Sequence, residues 1–140
     1  MILYLDTSAI LKRYFQEPFS EELAVTWNSA EAIVSSSVAY AETMATIYRK
    51  KKETGLDSKI IQETIETFKT DWNSFIQVKV TNDLNSYLDN MLKKYALRGF
   101  DAIHLASAFT IYGQIPWDFF FACFHHTLNQ AAKQEGLESF

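Results

Sequence analysis

Ile2-Leu3-Tyr4-Leu5-Asp6-Thr7-Ser8-Ala9 decides the fold. Four apolar residues stopped by an acid read as a short buried strand. Thr7 and Ser8 can cap a helix running on to about Gln16, and Glu17-Pro18 can start a second one. Asp6 therefore stands where a strand hands over to a helix. Its ordinary use there is a helix N-cap, but with two hydroxyl residues available for capping it is left spare for chemistry.

The same alternation continues outward. Ala32–Ser36 is a second short strand, and from Ser37 a long helix carries Val38, Ala41, Ala45 and Tyr48 on one face until it fades near Thr54-Gly55. Another helix places Ile60, Ile61, Thr64, Ile65, Phe68 and Trp72 at helical spacing. Phe75–Val80 reads as a third strand. Asp83 opens a helix bearing Leu84, Tyr87, Leu88, Met91 and Leu92, Arg98-Gly99 breaks it, and Asp101 begins the next. Phe119–Phe124 is a fourth strand, followed by a last helix ending near Gly136. Strands separated by helices imply a parallel sheet with right-handed crossovers and helices on both faces.

The 140 residues fit one domain, 1–140, and 48% hydrophobic content supplies a sizeable core. A formal charge of −4 excludes a generic polyanion binder. Any nucleic-acid contact must come from local clusters: Lys12-Arg13, Arg49-Lys50-Lys51-Lys52, or Lys93-Lys94 with Arg98; a solvated helix face is the plainer use of each. The single cysteine, Cys123, forms no internal disulfide and reads as a small buried side chain, compatible with a reducing cytoplasm. The N-terminus lacks the pattern of a signal peptide, and no run of 18 uncharged apolar residues predicts a membrane span.

Two further acids join Asp6 as site candidates. Glu42 lies between Val38, Ala41 and Ala45, so it projects from an apolar stripe, where an ionised carboxylate is costly unless paired, hydrated in a cleft or bound to a metal. The alternative is a glutamate reaching solvent at the stripe's margin. Asp101, after Arg98-Gly99-Phe100, is on its own an N-cap candidate. Together the three suggest a cluster at the carboxyl edge of the sheet, where reactive groups of open parallel sheets gather. Such carboxylates repel one another unless a cation neutralises them, and oxygen-only ligation suits Mg²⁺ or Mn²⁺ better than zinc. No Gly-rich turn follows the first strand, against a dinucleotide-binding domain. A haloacid-dehalogenase-type phosphatase would carry a second Asp where Ser8 stands.

Leu5-Asp-Thr-Ser-Ala-Ile-Leu-Lys-Arg-Tyr14 with Glu17-Pro18, Ser37-Val-Ala-Tyr-Ala-Glu42, Leu97-Arg-Gly-Phe-Asp-Ala-Ile-His-Leu-Ala-Ser-Ala108 and Phe121–Leu137 occur in the order and spacing of one family. Over almost its whole length the chain resembles the PIN-domain family, and within it the VapC-type ribonuclease toxins of toxin–antitoxin pairs. The resemblance implies a three-layer α/β/α fold with a central four-stranded parallel sheet, and Mg²⁺- or Mn²⁺-dependent cleavage of RNA that leaves a 5′-phosphate. It implies Asp6 and Asp101 as metal ligands, Glu42 holding the ion or its water, and Thr7 and Ser8 orienting Asp6. It further implies a protein antitoxin and a homodimer, to which Tyr40, Tyr48, Phe68 and Trp72 could lend an interface. An arginine of such an antitoxin would pair well with an acidic pocket.

One departure stands out. The family pattern places a fourth acid just after the last strand, where this chain has His125. Adjacent His125 and His126 diverge on a helix and lack further ligands at zinc spacing, which favours structural or substrate contacts over metal ligation. An imidazole there removes a negative charge, weakening Mg²⁺ binding and favouring Mn²⁺. It also keeps open a second reading: a catalytically weakened module that binds RNA or a protein partner without cleaving.

Overall fold

The computed structural model describes residues 1–140. Strands β1 (Ile2–Leu5), β2 (Ala32–Ser36), β3 (Ile76–Val78) and β4 (Phe119–Ala122) form one sheet in the order β3-β2-β1-β4. All neighbouring pairs are parallel, with Ile2 beside both Ala32 and Phe119. Helices α1 (Thr7–Leu11), α2 (Ser20–Ser29), α3 (Val38–Thr54) and α4 (Ser58–Ser74) come before β3; α5 (Asn85–Lys94) and α6 (Gly99–Tyr112) precede β4, and α7 (His126–Gln134) follows it.

The period of two along each strand assigns the layers. Leu3 and Leu5 of β1 point into one core with Ala9, Ile10, Leu23, Ile47, Ile61, Ile65, Phe68 and Trp72, which is the face covered by α1–α4. Tyr4, between them, points to the other core with Met91, Leu105, Phe121 and Leu128, the face covered by α5–α7. The result is the expected three-layer α/β/α arrangement around a four-stranded parallel sheet. Burial of a side chain as large as the fully enclosed Phe68 contributes about 1.5–3 kcal/mol. No helix is long and apolar enough to cross a membrane.

Several local expectations are corrected. α1 stops at Leu11 rather than near Gln16, because the chain then tightens into turns in which Lys12 and Arg13 N–H donate three residues back, to Ala9 and Ile10. α2 starts at Ser20 instead of Pro18; Phe19 just before it takes a left-handed conformation (φ 69°), and a turn, closed by Ser20 Oγ accepting from Glu17 N–H, occupies 17–20. Asp83 lies in a short 3₁₀ turn, Asn82–Leu84, and α6 begins at Gly99, so Asp101 is in its first turn rather than at its start.

α3 buries a different face from the one its apolar pattern suggests. Ala39, Thr43 and Ile47 are enclosed, with Tyr40 and Met44 packed against the same core, whereas Ala41, Ala45 and Tyr48 are exposed. The larger side chains span the gap to α4 and the sheet, and the two alanines are left to line an open cleft. Of the aromatics considered for an interface, Phe68 and Trp72 are core and Tyr40 packs on them; Tyr48 is free at the surface.

Candidate active site

Strand order makes the site. After β1 the chain moves to β2 and β3 on one side, then returns across the sheet to place β4 on the other. The carboxyl end of β1 therefore lies at a topological switch point, where flanking connections diverge and leave a crevice. Asp6 is the first residue past β1 and is held there from every side. Its N–H donates to Ala122 O at 3.1 Å, and its carbonyl accepts from Ile10 N–H at 3.0 Å. Its Oδ1 accepts from Ala9 N–H at 2.9 Å and from Ser8 Oγ at 2.7 Å. Asp6 is thus the N-cap of α1, not spare, and the capping uses one oxygen while Oδ2 accepts no protein hydrogen bond. The capping use considered for Asp6 takes one oxygen of its carboxylate and leaves the other without a protein partner.

Ser8 and Thr7 divide their work. Ser8 donates to Asp6 and accepts from Phe124 N–H at 3.0 Å, tying the segment after β4 to the end of β1. Thr7 makes no bond to the Asp6 side chain. Its hydroxyl donates to Glu42 Oε1 at 2.8 Å.

Glu42 projects from α3 into the cleft with 28% of its side chain exposed, and His104 Nε2 approaches the same Oε1 at 2.9 Å. Burial acts to raise the Glu42 pKa, but the bonds from His104 and Thr7 outweigh it and hold the carboxyl below its usual range. Asp101 is close enough for its charge to oppose that shift. His104 in turn meets the buried Tyr4 hydroxyl at 3.0 Å through Nδ1. Burial pushes the Tyr4 hydroxyl far up, so it stays protonated and donates to Nδ1, which assigns the ring proton to Nε2, facing Glu42. His104 and Tyr4 were not singled out from sequence. The available signal was an imidazole inside the apolar run Ala102-Ile103-His104-Leu105-Ala106, since a buried histidine needs partners for both nitrogens.

Asp101 accepts no protein hydrogen bond, and its neighbour is His125, with Nδ1 3.7 Å from Oδ1. His125 therefore does face the carboxylates. Asp101 raises the His125 pKa, a partial desolvation opposes this, and the negative charge of Asp6 adds to the rise. Cys123, buried beside the same acids, is an inert thiol whose pKa is pushed far up by burial.

Glu42, Asp101 and His125 open onto one two-lobed cleft, and Asp6, 1% exposed, lies behind them. A 960 Å³ lobe is lined by Asp101, Ile103, His126 and Thr127; a 750 Å³ lobe by Thr7, Ser8, Lys12, Glu17, Arg49 and Lys50. Glu42, Arg98, Phe100, Phe124 and His125 border both. No three His, Cys, Asp or Glu side chains stand close enough together to enclose a metal ion. The donor chemistry nevertheless suits a hard divalent cation. Asp6, Glu42 and Asp101 each retain at least one carboxylate oxygen without a protein partner, and no thiolate competes, while the exposed imidazoles of His125 and His126 add nitrogen at the rim of the cleft.

A family model described as the PIN domain matches residues 3–114. The ribonucleases VapC45 and VapC49 of two Mycobacterium tuberculosis strains are each 27% identical over 110 residues, spanning 79% of this chain and 76% of theirs. The fold resembles a chain in the crystal structure of VapBC2 from Rickettsia felis bound to a promoter DNA fragment, with a TM-score of 0.64 at 14% identity, covering 100% of this chain and 98% of that one. FitAcB from Neisseria gonorrhoeae has a similar chain, with a TM-score of 0.68 at 16% identity, covering 100% and 96%.

Proposed function

The chain belongs to the PIN domain family, and from that premise we propose that it is a Mg²⁺- or Mn²⁺-dependent endoribonuclease, the toxin of a toxin–antitoxin pair. The observation that carries the reading is that Glu42 and Asp101 line one cleft at the switch point of the sheet, with the buried Asp6 behind it at the end of β1, near enough for its charge and that of Asp101 to act on His125. Relatives named as ribonucleases support the activity. Residues 1–140 are taken as one domain, because β4 lies beyond the matched segment yet pairs along the whole of β1.

Asp6 and Asp101 would hold the divalent ion, with Glu42 beside them. When bound, the ion supplies positive charge for the phosphodiester and lowers the pKa of the attacking water. The chain's own residues do the positioning. Ser8 and the α1 amide fix Asp6 through Oδ1 and leave Oδ2 free. Thr7 and His104 keep Glu42 ionised through Oε1, leaving Oε2 to accept a proton from water. Arg98, exposed at the junction of the lobes, offers a guanidinium to a phosphate oxygen.

A protein antitoxin, a homodimeric state and a cytoplasmic setting complete the proposal. The complexes named VapBC2 and FitAcB support a partner protein, for which an arginine side chain entering the acid cluster is the natural inhibitor.

The second reading, a module that binds RNA or a partner without cleaving, is favoured by His125, whose ring faces Asp101 where a further acid would strengthen cation binding. A fluorescent single-stranded RNA incubated with Mg²⁺ and with Mn²⁺ separates the two. Fragments ending in a 5′-phosphate and 3′-hydroxyl support the nuclease. RNA binding with no cleavage under either ion selects the module.

A further inference from the structure

The smaller lobe of the cleft carries a device that the three-acid chemistry does not use. Lys12, six residues after Asp6, has only 8% of its side chain exposed. Its Nζ lies 3.2 Å from Glu17 Oε2 and 4.5 Å from the centre of the Phe124 ring. Lys50, two helical turns beyond Glu42 on α3, puts its Nζ 3.4 Å from the other oxygen, Glu17 Oε1, and 4.9 Å from the centre of the Phe15 ring. One carboxylate thus holds two ammonium groups against two aromatic faces. Their positions are set, and their charge is only half neutralised.

The same wall bears Arg49, whose guanidinium meets a neutral partner, the Thr46 hydroxyl at 2.9 Å, and Arg98, which has no acidic partner. Four cations line this lobe against Glu17 and Glu42, in a chain whose net charge is −4. A concave, locally positive surface in an acidic protein attracts an anion of matching shape. Immobilising a buried lysine this way also removes much of the side-chain entropy that an ordinary surface lysine loses on binding.

We propose that this lobe is a phosphate-binding subsite for the RNA strand, in which Lys12, Arg49, Lys50 and Arg98 hold phosphates next to the one at the acid cluster. The proposal rests on the ribonuclease reading for its occupant. Glu17 is a positioning residue that orients both lysines. The position of the lobe gives the bound strand one direction of exit from the acids, past α1 and the middle of α3.

The test is equilibrium binding of a fluorescein-labelled 12-nucleotide single-stranded RNA in EDTA, read by anisotropy over a salt series, so that cleavage plays no part. Lys50→Gln, Arg49→Gln and Arg98→Gln should each weaken binding about two- to fivefold. Each should also reduce the slope of log K against log salt by about 0.7, the value for one phosphate contact to a single strand. Lys69→Gln on the outer face of α4 should change neither. Lys12→Arg should bind as the parent, whereas Lys12→Gln should not; circular dichroism of both separates loss of binding from loss of fold. Unchanged affinity and slope in the three Gln variants would overturn the proposal. Poly-glutamate binding that depends on these residues while RNA binding does not would overturn it in favour of an acidic protein partner. RNA bound with the expected variant losses but never cleaved with Mn²⁺ would refute the nuclease reading and leave the subsite standing.

Discussion

His104 Nε2 lies 2.9 Å from Glu42 Oε1, and the imidazole is 2% exposed while the glutamate opens onto the cleft. The histidine thereby connects the interior to the acid cluster, since its other nitrogen is held by Tyr4 at 3.0 Å. His104→Ala should lower stability by about 1–3 kcal/mol, because it leaves the buried Tyr4 hydroxyl unpaired. Tyr4→Phe should cost about 1 kcal/mol, since Nδ1 loses its donor but the bond to Glu42 remains. Urea titrations of both variants measure this, and the imidazole ¹⁵N shifts should report a proton on Nε2 in the parent and in Tyr4→Phe alike. A larger loss in Tyr4→Phe than in His104→Ala would contradict the arrangement.

Asp6→Asn and Asp101→Asn should abolish RNA cleavage with little effect on folding. An Asn at position 6 keeps an acceptor for Ala9 N–H, and Asn is as good an N-cap as Asp. Asp101 accepts no protein hydrogen bond that its amide would lose. Cleavage assays paired with thermal melts decide the matter; activity persisting in both variants would sink the three-acid mechanism.

His125→Asp should tighten Mg²⁺ and Mn²⁺ binding, with the larger gain for Mg²⁺. It replaces an imidazole 3.7 Å from Asp101 with a second oxygen donor. Without metal the same change should lower stability, as it sets two like charges together. Calorimetric titration of each ion into both proteins is the measurement. Equal affinities would show that this position lies outside the cation's reach.

Acid should loosen the end of α7. Burial acts to raise the Glu135 pKa, but Lys94 at 2.9 Å and the Tyr95 hydroxyl at 2.8 Å bring it below the usual value of 4.5. A carboxyl depressed on folding contributes stability that is present above its unfolded pKa and lost as pH falls through the lower folded value. Lys94→Gln should therefore reduce stability at pH 7 and flatten the decline below pH 4.5, as followed by melting temperature against pH. Parallel pH curves for the two proteins would count against this tie between α5 and α7.

The layers and their order were legible in the sequence because local physics writes them there. Unbroken apolar runs marked β1 and β4, the shorter run Ala32-Ile33-Val34 marked β2, and the spacing of Ile61, Ile65, Phe68 and Trp72 marked the buried face of α4. The three acids were legible for a related reason. Asp6 stands where a strand gives way to a helix and Glu42 where charge is costly; Asp101, near the start of α6, was marked by the family pattern around it.

The partners of those acids were decided only by the tertiary structure. Thr7 adjoins Asp6 in the chain yet serves Glu42, while Ser8 bridges Asp6 to Phe124, 116 residues away. The Val38–Ala41–Ala45–Tyr48 stripe of α3, exposed at its last three positions, looked like a core face because composition records how apolar a face is, not what the next layer places against it. His104 and Lys12 were visible as residue types but not as neighbours of Glu42 and Glu17. The sequence by itself determined that Asp6 would stand past the end of β1 and that the Glu42 charge would need a partner or a cleft, since burial cost and strand–helix junctions are properties of short segments. Which oxygen is spent on capping, which is left for a ligand, and where the cations stand follow from contacts between distant segments, and no local pattern encodes them.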